Sequence, residues 1–90
     1  MAALREERDR ILEALWEEWM DTTVLQEREP ERLRRARVSF DNRVRTAGAG
    51  EQVRALPEPV RSFFSREEVV DRARRVVALE EQLRGDAAGR

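Results

Sequence analysis

The 90-residue chain has no cysteine, histidine, lysine or tyrosine. Without cysteine there is no disulfide frame, thiolate zinc site or redox thiol. Without histidine the commonest general base near neutral pH is gone, with every histidine-ligated metal. The missing lysine excludes Schiff-base chemistry and a P-loop lysine. Any reaction would rest on carboxylates, arginines and the hydroxyls of Thr22, Thr23, Ser39, Thr46, Ser62 and Ser65. No apolar run approaches the ~20 residues that span a bilayer. The segment MAALREERDR has acids where a secretory signal has a basic start and an apolar stretch. These absences predict a soluble, cytoplasmic protein with no cofactor and no membrane partner.

What is present is charge and helix-forming residues. Charged residues make up 41% of the chain and hydrophobic ones 40%, too apolar for disorder and too charged for a large buried sheet. Abundant Ala, Leu, Arg and Glu suits helices with long solvated faces. Ninety residues make one domain, expected over 1–85, with 86–90 as a frayed tail. A domain of this size buries roughly 60% of its unfolded surface, so it needs efficient packing or a partner.

Apolar spacing predicts three helices. The first covers about 3–25, with Leu4, Ile11, Leu12, Leu15 and Trp19 as its main stripe and Trp16, Met20 and Val24 widening it. The second covers about 31–47, begun by Pro30 and ended by AGAG, with Leu33, Ala36, Phe40, Val44 and Ala47 on one face. The third carries Val69, Ala73, Val76, Leu79 and Leu83 and ends at Gly85. Ser65 with Glu68 reads as its capping box, and Phe64 with Val69 as its hydrophobic staple. ALPEPVRSFF (55–64) reads as a stiff corner tucked over the core. The expected architecture is all-α: a small helical domain with an antiparallel hairpin, a third helix packed across it, and a short extra turn at 51–56 or 59–64.

Two acidic frames repeat: Glu17-Glu18-x-x-Asp21 and Glu67-Glu68-x-x-Asp71. Glu18 and Asp21 set against Glu68 and Asp71 would offer hard oxygen ligands to Mg²⁺ or Mn²⁺. Over about ten residues the pattern resembles the acidic helical motifs of the all-α nucleoside-triphosphate pyrophosphohydrolases, which would imply a metal-dependent phosphohydrolase. That family has a further acid one turn beyond the first pair and sets its motifs closer together; here fifty positions separate them. Glu67 and Glu68 are also accounted for without metal, as first-turn acids favoured by the helix dipole. LREERDRILEAL resembles the opening of the small helical chorismate mutases. The match ends after twelve residues, and Thr22 and Thr23 stand where a substrate-binding arginine is expected, so Arg5 is not assigned a catalytic role.

Charge is segregated. Residues 1–31 hold four arginines against ten acids, and residues 32–46 hold six arginines against one. An acidic first helix is expected to pair with a basic second one along their rims. Arg32, Arg34, Arg35, Arg43 and Arg45 are the candidates for contacting nucleic acid or an acidic protein partner, although they do not share one stripe. Arg37 is expected to lay its stem over the core. The first helix is apolar over about half its circumference, more than one neighbour needs. Trp16, Trp19, Met20 and Val24 are the candidate anchors, since Trp is enriched at binding hot spots and Met adapts to irregular surfaces. The expected function is a non-enzymatic interaction or regulatory protein that self-associates as a homodimer or docks a protein partner through this face. A nucleic-acid-binding regulator and a divalent-metal phosphohydrolase are the alternatives.

Overall fold

The computed structural model describes residues 2–23, 28–51 and 53–88, with backbone alone for 86–88. Among them there is no strand. The elements are α1 (Ala2–Thr23), α2 (Pro30–Gly48), a 3-10 turn at Val53–Ala55, the short α3 (Val60–Phe63) and α4 (Glu67–Ala88). The domain is all-α, and both places expected for an extra turn hold one. No described helix is long and apolar enough to cross a membrane.

Local chemistry sets the ends. Pro30 opens α2, where its missing N–H costs nothing, and the Glu29 carboxylate accepts from the Glu31 and Arg32 amides. At the other end the Ala49 amide donates to the Arg45 carbonyl and the Gly50 amide to that of Ala47. Gly50 has φ +82°, a left-handed turn that glycine accepts without a Cβ penalty.

The start of α4 differs from the capping box expected. The amides of Val69 and Val70, in its first turn, bond to the Arg66 carbonyl, and the Ser65 hydroxyl donates instead to the Arg61 carbonyl of α3. Ser65 thus closes the preceding helix, and α4, which begins at Glu67, starts one residue later than a Ser65 cap requires. Phe64 and Val69 are still both buried. Nor does α4 stop at Gly85; it runs on to Ala88.

α4 packs against both long helices. It runs antiparallel to α1: Glu18 pairs with Arg72 near its start and Arg8 with Glu80 further along. It crosses α2 at Gly48, where a Cβ would lie 2.6 Å from the Ala73 carbonyl carbon and 2.7 Å from Val77 Cγ2. The first turns of α1 (Arg5, Arg8) lie beside the end of α2 (Arg45, with Ala49 just beyond it). With residues 24–29 joining their other ends, α1 and α2 form the antiparallel pair.

The core holds Leu12, Leu15 and Trp16 of α1, Phe40, Val44 and Ala47 of α2, Phe63 and Phe64, and Val69, Ala73, Val76 and Leu79 of α4. Rim pairing follows a different plan from the one expected. Among the described residues, one ion pair joins α1 to α2, Arg37 with Glu13 at 2.8 Å. Of the other paired acids of α1, Asp9 takes Arg8 of its own helix at 3.1 Å, while Glu7 and Glu18 turn to Arg75 and Arg72 of α4. α4 lies against α1 over more of its length, so its arginines reach those acids first.

The Arg75 guanidinium grips Glu7 with Nε at 2.7 Å and Nη2 at 3.1 Å, which holds the Glu7 carboxyl below its usual pKa. Ser62 does the same to Glu58 through its hydroxyl and amide. A depressed carboxylate stabilises the fold at pH values above its unfolded pKa, and that stabilisation is lost as pH falls through the lower folded value. Melting temperature should therefore fall with acidification below about pH 4.5, and Glu7→Gln should flatten that limb. An acid limb unchanged by Glu7→Gln would exclude this pair as a contributor.

Candidate interaction surface

Five aromatic rings converge where α1, α2 and α3 meet. Phe40 is the hub: Trp16 stands edge-on to it at 5.4 Å, with Trp19 at 5.9 Å, Phe63 at 6.0 Å and Phe64 at 5.6 Å. Phe63 and Phe64 are T-shaped at 5.2 Å, the geometry that ring quadrupoles prefer.

The two tryptophans have different fates. Trp16 is 8% exposed and lies beneath the Arg37 guanidinium, 5.8 Å from the ring centre. It is a core residue and is not available as a docking anchor in this fold. The face it belongs to is wide because α1 covers two neighbours, with Trp16 serving α2 through Phe40. Trp19 also touches Phe40 and stands T-shaped to Phe63 at 5.3 Å, but it is half-buried, as is Met20. Both lie at the margin of the core rather than within it. Val24 lies outside the described residues. The Thr23 hydroxyl donates back to the Trp19 carbonyl one turn earlier at 2.8 Å, a local side-chain bond usual for threonine in a helix.

Arg37 behaves as expected of a residue lying over the core. Its Nε donates to Asp41 at 2.9 Å and its Nη1 to Glu13 at 2.8 Å. Burial works against its charge, but the bonds to these two carboxylates prevail and raise its pKa.

The remaining arginines of α2 are dispersed. Arg34 pairs with Glu31 at 2.8 Å and Arg32 with Glu29 at 4.0 Å, both along their own helix. Arg45 turns to α4, its Nε 2.9 and 3.0 Å from the two oxygens of Glu80, which raises its pKa. Arg35 is exposed and Arg43 half-buried. These five arginines do not form one cationic stripe. Val38, 57% exposed, sits beside Arg34 and Arg35 on the outer face.

The carboxylate set is not assembled. Among the described residues no group of three or more acids is placed to hold a metal ion. Glu18 is taken by Arg72, and Asp71 lies 3.8 Å from Arg74 of its own helix. Antiparallel packing brings the second frame's helix beside the first, but the cross-helix partner of Glu18 is Arg72.

One node lay beyond the sequence reading. Glu80, 18% exposed, gathers Arg45 of α2 and Arg8 of α1, the latter at 3.6 Å. The available signal was position: Glu80 follows Leu79 at the edge of the apolar stripe of α4, where a charge reaches the rim of the neighbouring helices. Comparison with protein-family models, with curated proteins and with solved structures gave no match.

Proposed function

We propose that the protein is a small non-enzymatic interaction or regulatory protein that associates with a second chain, first of all a copy of itself, through the edge of α1 marked by Trp19 and Met20. The observation that carries this reading is the contrast within one turn of helix. Trp16 is enclosed, whereas Trp19 and Met20 stay half-buried at the margin of the aromatic cluster. A rigid indole backed by two phenylalanines suits a hot spot, because little side-chain freedom remains to be lost on binding.

Met20→Glu tests it. The substitution places a charge on the margin and leaves the enclosed residues untouched. Association measured by sedimentation should be lost, with helicity and melting temperature close to the parent's. A variant that associates as well as the parent would rule this edge out.

A further inference from the structure

The first turns of α1, the end of α2 and the second half of α4 border an open groove of about 600 Å³, within the ~300–1,000 Å³ usual for ligand sites. Four arginines line it: Arg5 and Arg8 from α1, Arg45 from α2 and Arg84 from α4. Ala49, Val77 and Leu83 provide its apolar surface, and its acids are Glu80 and Glu81. Among the described residues, four cations against two anions leave the lining at +2.

These charges are unequally engaged. Glu80 is held by Arg45 and Arg8 as described, so those three groups largely satisfy one another. Arg5 and Arg84 are exposed, and among the described residues neither has a hydrogen bond or ion pair. Each presents a planar fork of donors that matches a carboxylate.

Shape narrows the ligand further. Arg5 enters the groove from α1 and Arg84 from α4, so carboxylates on either side of one residue are met from different helices. Side chains of an extended chain alternate faces. A central apolar residue then points into the groove while its two neighbours turn toward the rim. A bare inorganic anion would meet the arginines but leave the apolar lining wet.

We propose that this groove binds a short acidic peptide segment in extended form, with an apolar side chain against Val77 and Leu83 between carboxylates held by Arg5 and Arg84. The site is separate from the Trp19–Met20 edge and does not depend on association there.

The test is fluorescence anisotropy of a fluorescein-labelled peptide with Glu-Leu-Glu at its centre, titrated with the full chain at low salt. Saturable binding is expected. It should weaken about tenfold in Arg5→Ala/Arg84→Ala, since two exposed charge-assisted contacts are lost. That variant should keep the parent's melting temperature, because among the described residues neither arginine has an internal partner. A Glu-Ser-Glu peptide should bind several-fold more weakly. Inorganic phosphate should displace the labelled peptide no better than sodium chloride at equal ionic strength. The proposal is overturned by absent saturation, by equal binding to the double variant or by indifference to the Leu-to-Ser change. Preferential displacement by phosphate would also overturn it, marking a small-anion site.

Discussion

Gly48→Ala is expected to lower the melting temperature by roughly 10–20 °C, about 2–3 kcal/mol for a domain of this size. On helix propensity alone the sign would be the reverse, since alanine favours a helix over glycine by about 1 kcal/mol. The crossing of α2 over α4 decides otherwise. The added methyl would fall 2.6 Å from the Ala73 carbonyl carbon and 2.7 Å from Val77 Cγ2. A side chain can rotate away, but the Ala73 backbone cannot, so the helices must separate at a contact that seats Val44, Ala47, Ala73 and Val76 in the core. Overpacking of this kind typically costs ~1–3 kcal/mol and sometimes more. Val77→Ala added to Gly48→Ala should restore little, because it relieves one side-chain contact and leaves the backbone one. Gly85→Ala is the matched control. It too lies within a helix, with nothing within 4 Å of the new methyl, and should stabilise by up to about 1 kcal/mol. Thermal melts of the two variants settle the matter: equal stability of Gly48→Ala and the parent would mean that α2 and α4 do not cross so closely.

Trp16→Ala should cost about 3–5 kcal/mol, the range for emptying a large aromatic site. Total stability near 0.05–0.15 kcal/mol per residue gives a chain this long about 5–13 kcal/mol, so this one change removes a quarter or more of it. Three losses combine: the buried area, the edge-on contact with Phe40 and the ring beneath Arg37. Trp19→Ala should cost clearly less, because its ring is half-buried and Phe40 and Phe63 keep each other as neighbours. Urea denaturation of both variants distinguishes these residues. Equal losses would contradict the placement of Trp16 inside and Trp19 at the margin.

The helices were legible because each rests on local information. Leu33, Phe40, Val44 and Ala47 recur at helical spacing, Pro30 marks a start and Gly50 a stop. The division of labour between Trp16 and Trp19 was not legible. Both lie on the apolar half of α1, and which one is enclosed depends on the angle at which α2 and the Phe63–Phe64 corner meet it. Charge was misleading for a related reason. The acidic first and basic second segments suggested pairing with each other, but ion pairs form where side chains reach, and the arginines of α4 reach Glu7 and Glu18. The Ser65–Glu68 box failed because α4 begins one residue later than that box requires, and the Ser65 hydroxyl donates to the Arg61 carbonyl of α3. The groove at Arg5 and Arg84 draws on three helices, and only their packing brings those arginines to one place.

The most direct test of the account is the solution mass of the full chain by light scattering on a sizing column, over a tenfold range of concentration, beside Met20→Glu. The parent's mass should climb toward twice the single-chain value as concentration rises, while Met20→Glu stays at the single-chain mass with its helicity intact. A parent that remains at the single-chain mass throughout, indistinguishable from Met20→Glu, would contradict self-association through the Trp19–Met20 edge.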